Sequence, residues 1–472
     1  ELFGGLLMKK FKKCVLALLT AGLLLLPGCS KSETSLDPGN PTSVIVWHYY
    51  KGTQKTAFDE LVSKFNETVG AEEGIVVTAE SKGSVDDLAD AVAASANQKV
   101  GSEELPNIFA TYSDTAYVVN ELGLLADIKQ YMTDEELSEY VEGFVQEGEF
   151  TDGSLYIFPV AKSTELLFVD MTDWNKFAEA TGASDESFKT WEGLAKVSKQ
   201  YYDWSGGRAF FGRDAFANYL IVGSRQLGSE LFEVNNGQVK LNLDRDIMKR
   251  LWDNYAVPYI KGYYGAYGRF RSDDVKTGDL IAVVGSTSST SYYPTEVTFD
   301  GGITYNPIEG KVYPVPGFEG TEDYAVQQGA GMAVTKGDTL SEKASVEFLK
   351  WFTDVEQNTD FCVSSGYIPV KYESNTRENL EAALQREGVD KDSLVYDSFL
   401  LGVDTVNNVN LYTNRPFEGG VEARSVLTEF MTSKIDNYKA ELAGLSGDEL
   451  DTALDSAFES WLTELSTALE NC

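Results

Sequence analysis

The sequence predicts an α/β protein of two lobes, on three observations. The first folded stretch alternates strand, helix, strand, helix and strand, an order that demands a parallel sheet with helices on its faces. About 440 residues follow the amino-terminal leader, too many for one hydrophobic core. Downstream, the apolar run "LIAVV" (280–284) enters a Gly/Ser/Thr-rich turn, and ligands of open α/β sheets bind at such strand ends.

The elements follow in order. "SVIVWH" (43–48) reads as a buried strand because it is a short, nearly continuous apolar run. "KTAFDELVSKFNETV" then places Phe58, Leu61, Val62 and Phe65 on one helical face. "GIVVTAE" (74–80) is a second strand. "SVDDLADAVAASANQ" (84–98) is a helix with Ser84 as N-cap and Asp87 at the third position, a reciprocal cap. "LPNIFATYS" (105–113) gives the third strand. "LYIFPVAKSTELLFVDMTDWNKF" (155–177) is two extended apolar pieces around a polar kink, "AKST".

A helix-rich region comes next. It holds "ESFKTWEGLAKVSKQY", "GRDAFANYLIVGSRQLG" (212–228) and "NLDRDIMKRLWDNYAVPYIKGYY" (242–264), the last capped by Asn242 or Asp244. "GKVYPVPGFEG" (310–320) reads as a connector and "GAGMAVTKG" as strand and turn. "LSEKASVEFLKWFTD" (340–354) is an amphipathic helix, "SSGYIPVK" (364–371) a turn, and helices run to the end. No repeat of 20 to 50 residues is present.

The leader has its own chemistry. The first Met is Met8, so residues 1–7 read as extra sequence. "MKKFKK" and "CVLALLTAGLLLLPG" form the basic and apolar parts of a signal peptide over 1–28, too short for a transmembrane helix. "LLPGC" (25–29) resembles a bacterial lipobox. That resemblance implies cleavage before Cys29 and lipid on Cys29, with several acyl chains for firm attachment. Residues 29–42 then form a polar tether. Cys362 and Cys472 remain, paired or free, so a disulfide framework and a Cys-based metal site are excluded.

With 39 basic and 74 acidic residues the chain carries a net charge of −35, which repels nucleic acid and anionic lipid. A hydrophobic fraction of 43% and an aromatic fraction of 12% exclude a disordered chain. His48 is the single histidine. No nucleophile elbow or histidine metal motif accompanies it, so it reads as a hydrogen-bonding brace or a ligand contact. Trp47 and Tyr49 share a strand face and could offer rings to the apolar face of a polyol, or pack the lobe. Tyr263 and Tyr264, in "KGYYGAYGRF" (261–270), line a cleft loop or pack a helix end. Trp191 caps a pocket or packs on its own helix, and Tyr367 stands in a turn suited to a cleft.

The ordered set resembles the extracellular solute-binding proteins of ABC importers, of the maltose-binding-like type of sugar binders. Its marks are the lipobox, "VIVWHYYKG…AFDELVSKFN", "YIFPVAKSTELLFVD", "GDLIAVVGSTSS" and "AGMAVTKG…KASVEFLKWFTD…SSGYIPVK". The resemblance implies a type II periplasmic-binding-protein-like fold, with parallel-core sheets in two lobes joined by a three-segment hinge. The crossings are expected near 158–162, 312–316 and 357–362. One lobe then takes 41–158 and 317–357, and the other 162–312 and 362–470. A ligand lies between them and the lobes close by hinge motion.

Within that family the order is most similar to the binders of glycerol-3-phosphate and glycerophosphodiesters. This similarity implies Asp86, Ser163 or Thr164, Ser286 or Ser289, Gly329, Tyr367 and Arg415 as ligand-facing. In "VDD" (85–87), however, Val85 removes a ring and Asp86 shortens an acid. "NLYTNRPFEGG" around Arg415 matches loosely. A phosphate wants a bidentate guanidinium, while Arg415 has Glu418 and Glu422 as alternative partners. A neutral sugar or oligosaccharide is the leading expectation and a phosphorylated polyol the alternative. The implied partners are ABC permease subunits, with the lipid anchor as the membrane contact. The reading expects a monomer at the outer face of the cytoplasmic membrane, with no catalysis, cofactor or metal. The competing readings are a secreted glycoside hydrolase, which needs two cleft carboxylates at a set separation, and a sensor without an importer.

Overall fold

The computed structural model describes residues 35–235, 238–299 and 304–472. The leader and Cys29 lie outside the described residues.

From the amino end the chain builds β1 (Thr42–His48), α1 (Gly52–Glu67), β2 (Ile75–Ser81), α2 (Val85–Ala96), β3 (Ile108–Thr111), α3 (Ser113–Glu121) and α4 (Glu142–Gly148). Helix α1 buries Phe58, Val62 and Phe65, the face set by their spacing. The Ser84–Asp87 box caps α2 in both directions. Then come β4 (Glu165–Asp170), α5 (Trp191–Ser205), β5 (Phe211–Arg213), α6 (Phe216–Gln226), α7 (Arg245–Ile260), β6 (Ala282–Ser286) and β7 (Gly310–Pro314). Asp244, not Asn242, caps α7. The remainder is β8 (Tyr324–Val326), β9 (Gly331–Val334), α8 (Thr339–Phe352), α9 (Val355–Ser365), α10 (Arg377–Arg386), α11 (Leu394–Asn408), β10 (Asn410–Tyr412), α12 (Gly420–Met431) and α13 (Gly447–Leu469).

Two four-stranded sheets result. The first has the order β9-β3-β1-β2, parallel through β3, β1 and β2 with antiparallel β9 at its edge. The second has the order β7-β4-β6-β5. It is mixed: β5 and β6 are parallel, and β4 is antiparallel to both β6 and β7. The stretch expected as a connector at 310–320 thus begins with an edge strand. Every residue of β3 and β4 is buried, as strands covered on both faces require.

Each sheet has its own core. The first gathers Val44, Phe58, Phe109, Met332 and Phe352. Around Phe58 the rings of His48, Tyr50 and Phe352 stand 5.0, 5.2 and 5.4 Å away, centroid to centroid. The second gathers Trp191, Tyr219, Trp252 and Trp461. Phe318 packs in the second core, with Trp191 and Tyr219. Helix α9 packs on α1, and Phe361, Val370 and Leu384 join the first core. Helix α11 packs on β7 and β4, while its Phe399, Val403 and Val406 join the first core. Phe318 thus fills the second core, and α9 and α10 fill the first.

Three segments meet between the cores. Ser163 exchanges backbone hydrogen bonds with Gln328, and Lys162 does so with Ile368. Gly329 completes the junction at φ +90°, where an added Cβ would lie 2.7 Å from the Ala161 carbonyl. Only glycine fits there. Both Cys362, buried, and Cys472, exposed, are free. Among the described residues no helix is long and apolar enough to cross a membrane.

Candidate functional site

A cleft of about 670 Å³ opens between the two cores. Its walls are built from strand ends. The buried strand β3 stops at Thr111, and Tyr112, in extended conformation, starts α3, so Tyr112, Ser113 and Asp114 face the cleft beside Val85 and Asp86 of α2. Opposite, β5 stops at Arg213 and the chain turns through Ala215 into α6, presenting Ala215 and Asn218. Arg424 of α12 joins that wall, and Glu147, Gln327, Gln328 and Asn414 line the junction. Both walls thus lie at carboxyl ends of parallel strands, where helix starts leave polar groups free.

Asp114 is the most exposed to consequence. It is 9% accessible and its Oδ1 has no hydrogen-bond partner. Burial raises its carboxyl pKa, against the pull of Arg424. Arg424 is the single basic side chain lining the cleft among the described residues. Its Nη2 donates to Asn218 Oδ1 at 2.7 Å and its Nη1 to Asn414 Oδ1 at 3.3 Å. Asp86, Asp114, Glu147 and Glu429 supply the acids. Of these, Glu147 is already paired with buried Lys162 at 2.7 Å, and Gln327 donates to it as well.

A second cavity, of about 850 Å³, adjoins the cleft and shares Glu147, Gln327, Thr413 and Asn414 with it. Tyr117, Phe150, Tyr412 and Arg415 line this neighbour. No cluster of three or more His, Cys, Asp or Glu among the described residues is placed to hold a metal.

Of the residues singled out in the sequence, Asp86 lines the cleft and Arg415, exposed, lines the adjoining cavity. No carboxylate lies within salt-bridge distance of Arg415 among the described residues, Glu418 and Glu422 included. Tyr49 and Tyr367 join hydroxyls at 3.2 Å, and neither lines the cleft, so this pair backs the wall rather than forming it. Burial holds both phenols of this pair well above their usual pKa.

The others are placed in packing or at the junction. Trp47 is buried with Lys82 Nζ 4.0 Å from its ring centre. His48 is fully buried; its Nδ1 accepts from the Tyr50 amide at 3.1 Å, and burial lowers its pKa to about 4. It braces the first core as a neutral ring. At the carboxyl end of β1, Val46, Trp47 and His48 are all buried, so alternation does not separate a wet face from a dry one there. Trp191 stands 5.9 Å from the Arg213 guanidinium and edge-on to Tyr219. Tyr264 is buried against Phe211, and Tyr263 packs on Tyr202. Thr164 donates to the Val326 carbonyl at 2.8 Å, and Ser163 and Gly329 serve the junction described above. Ser286 caps the turn containing Ser289.

Tyr112, Asp114, Asn218 and Arg424 escaped the sequence reading. One signal pointed to the first two: "IFAT-YSD" is a buried strand running into a polar helix start, the same pattern as "LIAVV-GSTSS". Asn218 and Arg424 are single polar residues inside amphipathic helices and carry no such mark.

The described geometry has relatives. Residues 60–387 match the family model described as bacterial extracellular solute-binding protein. The fold is similar to that of the cyclic alpha-maltosyl-1,6-maltose binding protein from Arthrobacter globiformis, with TM-score 0.65, 20% identity, and coverage of 91% of this chain and 100% of that one. It is similar to UgpB from Mycobacterium tuberculosis in complex with glycerophosphocholine (0.65, 16%, 92% and 99%). It is also similar to the galacto-N-biose-/lacto-N-biose I-binding protein of the ABC transporter from Bifidobacterium longum in complex with lacto-N-biose (0.64, 16%, 92% and 98%). No curated protein sequence matches the chain.

Proposed function

The chain belongs to the bacterial extracellular solute-binding proteins, and on that premise we propose that it captures a neutral sugar or oligosaccharide in the interlobe cleft. One observation carries the reading. The cleft offers amides and carboxylates, and its single cation among the described residues, Arg424, is already bonded to two amide oxygens. Carboxylates and amides accept from and donate to sugar hydroxyls. A phosphate, which seeks an unopposed guanidinium fork, meets Asp86 and Asp114 instead. Tyr112 supplies one flat ring at the rim.

Capture pulls the lobes together, because a ligand bound by both walls favours the conformation in which both reach it. The closed form is presented to an ABC permease, and no turnover is assigned to the cleft. "LLPGC" supports a lipid on Cys29 that keeps the protein at the membrane. Replacing Cys29 by Ser should move the mature protein from the membrane fraction to the medium. The phosphodiester reading retains one support: Tyr112 beside Asp114 suits a quaternary ammonium group.

Calorimetric titration of the mature protein with neutral glycans, glycerol-3-phosphate and glycerophosphocholine tests the proposal. The expected result is saturable binding of a glycan, recovered unaltered, and no binding of glycerol-3-phosphate. Tight binding of phosphate esters with none of the glycans would overturn it.

A further inference from the structure

We infer that Glu165 and Asn218 are positioning residues for Arg424, and that the orientation they impose makes Arg424 a specificity-determining donor of the cleft. The inference rests on the solute-binding reading. Its chain of contacts begins in the second core. Glu165, first residue of β4, is buried with Arg213 of β5, whose Nη2 donates to both carboxylate oxygens at 3.0 and 2.9 Å. The pair is boxed by Trp191 and Tyr219, 5.9 and 5.5 Å from the Arg213 guanidinium. Arg213 also donates to the Asp214 carbonyl at 3.0 Å and the Ala215 carbonyl at 3.3 Å. Ala215 holds a left-handed backbone, φ +48°, which a non-glycine residue adopts only when its surroundings impose it.

From this anchor the order passes outward. Asn218 Nδ2 donates to Glu165 Oε1 at 2.9 Å. A carboxylate only accepts, so the amide cannot turn over without losing that bond. Asn218 Oδ1 must therefore face Arg424, and it accepts from Nη2 at 2.7 Å. On the other edge, Asn414 donates through Nδ2 to the Arg415 carbonyl at 3.1 Å and so presents Oδ1 to Arg424 Nη1 at 3.3 Å. Both amides are locked in one sense by partners behind the wall. The guanidinium is gripped by two neutral oxygens, not by a carboxylate, and keeps its remaining N–H groups without a protein acceptor among the described residues. A planar, pinned fork discriminates ligand geometry in a way a lysine cannot.

The test uses full-length mature protein labelled with ¹⁵N-arginine, in which Arg424→Lys identifies the Arg424 signals. The pinned guanidinium should give separate Nη resonances in the wild type. These should collapse to an averaged signal in Asn218→Leu and also in Glu165→Gln, whose amide can donate as well as accept and so no longer fixes the sense of Asn218. If Glu165→Gln fails to fold because Arg213 is left unpaired, Asn218→Leu decides. Lacto-N-biose and glycerophosphocholine serve as binding probes, and Asn218→Leu and Arg424→Lys should each weaken the bound one about tenfold. Unchanged Arg424 resonances in Asn218→Leu, or an affinity loss without their collapse, would overturn the positioning role. If the wild type binds neither probe, the resonances still decide the inference, and the ligand reading alone is in question.

Discussion

Replacing Asp114 by Asn should make the free protein more stable and its ligand binding weaker. The carboxylate is 9% accessible, has one oxygen without a partner, and has a pKa raised by burial. An acid whose folded pKa is raised opposes folding once pH exceeds that pKa, because the unfolded chain ionises more readily. A buried unsatisfied group costs about 1–3 kcal/mol, and Asn removes the charge part of that cost while keeping the shape. Stability at pH 7 should rise by about 1 kcal/mol, taking the lower end because Arg424 compensates part of the charge. In the complex the same oxygen accepts from a ligand hydroxyl. A hydrogen bond to a charged group is worth about 1.5–3 kcal/mol, so the affinity should fall roughly 10- to 150-fold. Chemical denaturation and calorimetric titration of the same preparation read the two signs. A variant that loses stability and keeps its affinity would refute the reasoning, because Asp114 would then be holding the fold and not the solute.

Three further outcomes are expected. His48, neutral in the fold because burial pushes its pKa from the usual 6.5 down to about 4, must stay uncharged while the unfolded chain takes a proton. It should therefore withdraw roughly 3 kcal/mol of stability as pH falls from about 6.5 to about 4; the difference between wild type and His48→Asn in urea midpoints across that window measures it, and parallel profiles would refute it. Lys162→Met leaves the half-buried Glu147 without its 2.7 Å partner, with only Gln327 still donating to it, and should cost about 3 kcal/mol, the lower end for a broken buried pair, seen as a lower denaturation midpoint that adding Glu147→Gln largely restores. Arg415→Ala should change glycan affinity by less than about 0.5 kcal/mol, since Arg415 lines the adjoining cavity; a loss of several kcal/mol in calorimetry would return it to the site.

Strands β1 to β3 and helices α1 and α2 were legible because their signals are local: apolar runs, one-sided spacing and the Ser84–Asp87 cap. Strand β5 was not, since three residues are too few to show a period, and "GRDAF" was absorbed into the following helix. β7 was hidden by Pro314 at its end and Pro316 just beyond it in "VYPVP", Pro314 being tolerated because the strand lies at the sheet edge. At the site, the family resemblance supplied Asp86, while the strand-end rule was applied to "GSTSS", which does not line the cleft, and aromatic residues drew attention elsewhere. Trp47, Trp191 and Tyr264 are core residues, as large rings mostly are. Asn218 and Arg424 became visible only when α6 and α12 came together, a tertiary event with no trace in either segment alone.

The most direct measurement is a crystal structure of the protein with the glycan that binds in calorimetry. The account predicts the sugar between the walls, its hydroxyls donating to Asp114 and accepting from Arg424, with Asn218 still turned toward Glu165. A ligand lodged in the adjoining cavity against Arg415, with Asp114 and Arg424 untouched, would contradict it.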